Sequence, residues 1–231
     1  MKKNNIVIGI EGFVGAGKTS ICRKLLEYIP NSVLLNGGNL YRSIIYVLLS
    51  KGTKLDKLKK KMVNADIKAV MDNLGIEIKI EDRETQFYFE GNRLCEEALQ
   101  SAKSSMAVST LGGETDNTNL FVFSRKLVDN LKIDYNVIIS GRAIMQIYPD
   151  IDYHFFITAS LEERVKRKSM QYNNLIDFEE LKLQIIKRDE LQKQAGFYDL
   201  SPNTISIDVT NCRTIEESTK AVLKNIRTIY E

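Results

Sequence analysis

Short apolar runs alternate along the chain with longer segments in which apolar residues recur every three or four positions. Strand-like runs occupy Ile6 to Ile10, Ser32 to Leu35, Asn136 to Ser140, Tyr153 to Thr158 and Thr204 to Ile207. Helical periodicity is read at Thr19 to Tyr28, Leu40 to Ser50, Lys54 to Leu74, Arg93 to Ser101, Asn119 to Lys132, Leu161 to Tyr172, Asp177 to Gln194 and Thr214 to Tyr230. In the last of these, Ile215, Ala221, Val222, Ile226 and Ile229 supply the apolar stripe that a sheet-covering helix requires. At least one helical pattern separates each strand from the next, as parallel strands demand. The expected architecture is α/β, a doubly wound parallel sheet of about five strands with helices on both faces.

One segment breaks the alternation. Ile76 to Ile80 and Gln86 to Glu90 each alternate with period two and are joined by a short polar turn, so they are expected to form a β-hairpin. Because the hairpin falls between the second and third core strands, residues from about Lys54 to Leu111 are expected to form an inserted flap outside the main sheet.

Directly after the first apolar run, Gly12 to Thr19 read GFVGAGKT, a complete GxxxxGK[ST] loop in the order strand, loop, helix. Glycines let successive backbone N–H groups turn inward around a phosphate, where a side chain would obstruct the approach. Lys18 adds a point charge, and the helix N-terminus adds partial positive charge. Thr19 places a hydroxyl suited to Mg²⁺ at the start of that helix. The pattern predicts binding of a nucleoside triphosphate, ATP, through Gly12, Val14, Gly15, Ala16, Gly17, Lys18, Thr19 and Ser20, with Thr19 as the metal ligand.

Composition narrows the remaining classes. The chain's 231 residues can bury the core of one domain, and 33 basic against 30 acidic residues give a net charge of +3 with no sustained basic tract. A nucleic acid polymer is therefore not expected as a partner; the Lys-rich stretch Lys57 to Lys61 has the polar spacing of a solvated helix face. Cys22, Cys95 and Cys212 show no paired spacing and His154 is the only histidine, which points to neither a disulfide framework nor a zinc site. No apolar stretch approaches the roughly 20 residues of a membrane helix, and Met1 to Asn5 lead straight into the first strand. A cytoplasmic protein, monomeric by default, is expected.

Several motifs together resemble the bacterial cytidylate kinases over nearly the full length: IEGFVGAGKTS at the loop, NGGNLYRSI at Asn36 to Ile44, VS at Val108-Ser109, SGRAI at Ser140 to Ile144, FFITASLEERVKR at Phe155 to Arg167, and IIKRDE at Ile185 to Glu190. The resemblance implies a P-loop nucleoside monophosphate kinase with an acceptor-binding insert at about 54–111 and a helical lid at about 160–195. It implies that Tyr41, Arg42, Ser109, Arg142 and Arg188 meet the acceptor, and that Arg164 and Arg167 close over the transferring group as catalytic cations beside Lys18. Arg42 and Arg142 each follow the carboxyl end of a strand, where doubly wound sheets bind ligands. Three guanidinium forks around one phosphate would hold a dianion in line for attack.

Some family features are missing. Aspartates normally flank the GR pair, whereas here Ser140 and Ala143 do so, and Glu11 is a candidate to replace the first of them in organising Mg²⁺. On the acceptor side Asn36 and Gly37 stand where the family has aspartate and serine, Thr118 or a neighbour stands in for an arginine, and Gln192 and Ala195 replace an aspartate and an arginine. The leading expectation is phosphoryl transfer from ATP to CMP or dCMP. A kinase for another small phosphorylated or nucleoside acceptor, and a nucleotide-binding regulator with little turnover, are the alternatives.

Overall fold

The computed structural model describes residues 5–53, 66–99 and 118–226. The Lys57 to Lys61 stretch, Ser109 and the end of the last expected helix lie outside them. Eight strands, β1 Val7–Gly12, β2 Ser32–Asn36, β3 Ile76–Glu81, β4 Glu84–Phe89, β5 Asn92–Arg93, β6 Asn136–Ser140, β7 Tyr153–Thr158 and β8 Ile205–Asp208, form one sheet in the order β3-β4-β2-β6-β1-β7-β8, with β5 paired to β4. The five strands from β2 to β8 are parallel, in the register Val33↔Val137, Ile8↔Ile138, Ile10↔Phe155 and Phe155↔Ile205. The doubly wound α/β expectation is met.

Helices among the described residues are α1 Lys18–Tyr28, α2 Gly37–Ser50, α3 Ile67–Leu74, α4 Glu96–Leu99, α5 Thr118–Asp134, α6 Ile144–Ile147, α7 Leu161–Gln171, α8 Phe178–Gln194 and α9 Ile215–Leu223. On one face, Ile21, Leu25 and Leu26 of α1 and Val222 and Leu223 of α9 pack on Ile8, Ile10, Ile138 and Phe155. On the other, Val128 and Leu131 of α5 and Ile144 of α6 cover Val7, Val33, Leu35 and Ile139. Alternate residues of one strand thus enter opposite cores, and such strands, buried on both faces, read as continuous apolar runs. The helix α2 begins at Gly37, three residues before the expected start, because the Asn36 side chain accepts the Asn39 N–H and caps it. Ser160 and Asp177 cap α7 and α8 in the same way.

The hairpin forms with Asp82 and Arg83 both at positive φ, 48° and 65°, the handedness that suits a two-residue turn between twisted strands. Its placement corrects the sequence reading, since it belongs to the main sheet. Leu34 pairs with Glu84, Leu34 N donates to Arg83 O at 2.8 Å, and the Arg83 guanidinium reaches Ser32 O and Ile29 O. An uncovered β2 edge would leave these backbone groups open, and β4 satisfies them. The segment expected as a helix from Arg93 is a short strand, β5, followed by the single turn of α4.

Candidate active site

The loop after β1 is shaped by what its glycines permit. Gly12 has φ +143°, and a Cβ there would meet the Ile157 carbonyl oxygen at 2.1 Å, so the chain can turn out of the sheet at this point only without a side chain. Gly17, at φ +96°, sets the start of α1. Carbonyls of the loop are held by cations: Lys18 Nζ donates to Gly12 O at 3.0 Å and Phe13 O at 2.8 Å, Arg164 Nη1 to Val14 O at 3.1 Å, and Arg167 Nη1 to Ala16 O at 3.3 Å. With these oxygens engaged by the cations, the loop is braced from its carbonyl side; the Phe13, Val14 and Ala16 N–H groups are bonded to Ile157 O, the Asp189 carboxylate and Phe13 O, so an anion would be met by the loop's other N–H groups.

The loop opens on a cleft of about 1290 Å³ lined by Val14 to Ser20, Tyr41, Arg42, Arg142, Arg167, Lys168, Arg188 and Gln192 among others. Within it Lys18, Arg42, Arg142, Lys168 and Arg188 face one space. Burial, followed by repulsion from Arg188 and Arg142, pushes the Arg42 guanidinium down to about 10. Burial, then Arg188 and Arg42, push the Lys168 ammonium down to about 7. Lys18 is held well below its ordinary range by burial and then by Arg142 and Arg188, and Arg188 is lowered chiefly by burial. Buried nitrogens Arg42 Nε and Arg188 Nε have no hydrogen-bond partner among the described residues. Such an arrangement is costly unless an anion completes it.

The expected site residues separate into groups. Gly15, Ala16, Gly17, Lys18, Thr19 and Ser20 line the cleft beside Arg42, Arg142, Arg188 and the buried ring of Tyr41. Gly12 contributes its carbonyl to Lys18, and the Val14 side chain packs with Val165 of α7 and Leu181 and Ile185 of α8, so any contact from Val14 comes through its backbone. Arg167 lines the cleft while bonded to Glu163, Ala16 O and Val209 O. Arg164 departs from expectation. Its guanidinium is 7% exposed, is engaged by Ala159 O, Val14 O and Asp189, lies 4.9 Å from the Phe13 ring, and does not line the cleft. Glu11 departs as well: its carboxylate accepts the Ile144 N–H at 2.7 Å and lies 3.3 Å from His154 Nε2, buried away from the cleft, which leaves the Mg²⁺ role suggested for it without a geometric basis.

Sequence reasoning missed Lys168, Asp189 and Tyr198. Lys168 adjoins Arg167 in the KRK run, and its Nζ donates to Gln171 Oε1 at 2.8 Å and lies 4.8 Å from the Tyr172 ring. The signal available was its place beside Arg167 in that cationic run. Asp189 takes the Val14 N–H, Arg164 and the Tyr198 hydroxyl, while Gln192 Oε1 accepts from Arg142 Nε at 2.6 Å and lies 2.9 Å from the same hydroxyl. Through α8 the phosphate loop and Arg142 thereby share one hydrogen-bonded chain. Tyr198 is fixed by edge-on packing against Phe13 and Phe156.

Among the described residues no helix is long and apolar enough to cross a membrane, and no cluster of three or more His, Cys, Asp or Glu could hold a metal ion. Residues 8–228 match the protein family described as "Cytidylate kinase". The "Cytidylate kinase" of Caldicellulosiruptor saccharolyticus is 30% identical over 233 residues, 97% of this chain and 96% of that one. The "Cytidylate kinase" of Clostridioides difficile is 28% identical over 230 residues, 96% of this chain and 98% of that one. The crystal structure of TT1252 from Thermus thermophilus superposes with a TM-score of 0.48 at 16% identity, covering 99% of this chain and all of that one. With the match spanning nearly every residue from the first strand to the last helix, the chain belongs to the cytidylate kinase family.

Proposed function

We propose that this protein transfers the γ-phosphoryl group of ATP to CMP or dCMP. The observation that carries the reading is the convergence of Lys18, Arg42, Arg142, Lys168 and Arg188 on one cleft beside the phosphate loop, two of them with unpartnered guanidinium nitrogens. Loop amides and Lys18 hold the β- and γ-phosphates, and the acceptor phosphate docks on Arg42, Arg142 and Arg188. An acceptor phosphate is already nucleophilic at neutral pH, so positioning and charge stabilisation suffice without a general base. Arg167 and Lys168 line the same cleft from α7 and bring cations toward the transferring group. Arg164 acts one step back, by holding the loop and the α8 carboxylate of Asp189 together.

Mg²⁺ fits the residues present. Thr19 lines the cleft in the first turn of α1, next to Lys18, and a cation that keeps several waters needs only one such protein oxygen alongside substrate phosphates. When bound it would neutralise charge on the phosphates. In this reading residues 54–111, whose hairpin is part of the main sheet, supply the acceptor-binding insert, and residues 160–195 are the lid that closes on substrates. Support for the lid is that α7 and α8 carry Arg167, Lys168, Arg188 and Gln192 on one cleft wall. The protein acts as a cytoplasmic monomer.

The test is ADP release from ATP and Mg²⁺ across a panel of nucleoside monophosphates and nucleosides. Stimulation by CMP or dCMP above all others is expected. ATP binding without acceptor-stimulated release would make the chain a regulator, and stimulation by a different acceptor would overturn the substrate assignment.

A further inference from the structure

Arg142 sits in the turn between β6 and α6. The residue after it, Ala143, has φ 54° and ψ 31°, a left-handed conformation that a residue with a Cβ keeps only where its surroundings hold it. Ile144 follows, and its N–H is taken at 2.7 Å by Glu11 Oε1. Glu11 and His154 are each 4% exposed, and His154 Nε2 lies 3.3 Å from Glu11 Oε2 while Nδ1 is 2.8 Å from Thr204 Oγ1. The turn is pressed onto β1 as well: a Cβ at Gly9 would come within 2.7 Å of Ile144 Cγ2 and 3.1 Å of His154 Cδ2. A buried carboxylate needs hydrogen-bond donors, and this one spends an oxygen on a backbone N–H two residues from the acceptor arginine.

We propose that Glu11 is a positioning residue for Arg142: through the Ile144 N–H it locks the turn at Ala143 and thereby aims the guanidinium into the cleft. The inference rests on the assignment of Arg142 to the acceptor phosphate. It explains why a carboxylate next to the phosphate loop faces away from it. Arg142 completes its own placement by donating to Gln192 Oε1 at 2.6 Å and Gly141 O at 3.0 Å, contacts that a relaxed turn would lose.

The experiment compares the wild type with Glu11→Leu, Glu11→Asp and the double variant Glu11→Leu/Ala143→Gly, measuring the CMP KM, kcat, the ATP Kd by calorimetry and the melting temperature of each. Glu11→Asp withdraws the carboxylate by one methylene from Ile144 while keeping a charge beside His154, so it tests the contact even if Glu11→Leu fails to fold. Both single variants are expected to raise the CMP KM at least tenfold with the ATP Kd within twofold of wild type. Glycine at 143 adopts the left-handed turn without help, and the double variant is expected to recover most of the CMP KM even though the lost carboxylate still lowers its melting temperature. A merely structural role would move melting temperature and kcat and leave that KM and its rescue absent. An unchanged CMP KM in Glu11→Asp, or a parallel loss of ATP binding, overturns the proposal. Should the wild type itself give no CMP-stimulated ADP release, the acceptor assignment fails instead, which is a separate outcome.

Discussion

The Arg164 guanidinium meets the Asp189 carboxylate at 2.5 Å with side chains only 9% and 16% exposed, joining helices α7 and α8. The same two residues bind the loop itself, Arg164 through Val14 O and Asp189 through Val14 N–H. The two helices and the loop are therefore one hydrogen-bonded unit. Replacing Arg164 with Met leaves a largely buried carboxylate without its partner, which costs about 3 kcal/mol. Urea unfolding of Arg164→Met is expected to show that loss, with weaker ATP binding and partial recovery on adding Asp189→Asn. Wild-type stability combined with a collapsed kcat would mean that Arg164 reaches the transferring group after all.

Lys18 rests on Gly12 O and Phe13 O while its ammonium is disfavoured by burial and by Arg142 and Arg188. A bound polyphosphate would reverse that penalty. Lys18→Ala is expected to lose on the order of 10² to 10³ in kcat/KM with its circular dichroism unchanged. Activity near that of the wild type would remove the basis of the phosphate-loop assignment.

For Arg42 the expectation is confined to the acceptor. Its unpartnered Nε and lowered pKa both describe a cation waiting for an anion on the side of α2. Arg42→Ala should raise the CMP KM roughly 10- to 100-fold, the worth of one charged hydrogen bond, and leave ATP binding intact. A change confined to ATP would place Arg42 on the wrong substrate.

Lys168 makes the site sensitive to pH. Its ammonium is depressed to about 7, so in the free protein the charge is present below that pH and lost above it. Phosphate monoesters have a second pKa near 6, so the acceptor's own charge changes little above about pH 7. The CMP KM is expected to rise as pH increases above about 7. Lys168→Arg keeps the charge at all these values and should flatten the profile; an equally steep profile in that variant would assign the titration to another group.

Thr19 is the protein oxygen offered to the metal, and Thr19→Val keeps its shape without the hydroxyl. A Mg²⁺ titration of activity should shift to higher concentration in that variant, several-fold, with the CMP KM little altered. An unshifted titration would show that phosphates and water alone hold the ion.

The order of strand, glycine-rich loop and helix was legible in the sequence because each depends on neighbours close in the chain: a buried parallel strand is an apolar run, and a phosphate loop is a fixed spacing of glycines before a lysine. The parallel sheet and the loop residues Gly15 to Ser20 followed from that local logic, and the cleft-facing Arg42, Arg142 and Arg188 from the resemblance carried by their motifs. Which way a long charged side chain turns is settled by partners far along the chain. Arg164 and Arg167 are three residues apart on one helix, yet only one lines the cleft, since Asp189 and Val14 capture the other. The hairpin joined the sheet because β2 had an open edge, and Glu11 turned from the metal because Ile144 and His154 lay behind β1. Spacing along a backbone carries the first kind of information; the second exists only once distant segments are packed together, when desolvation decides which polar atoms must meet.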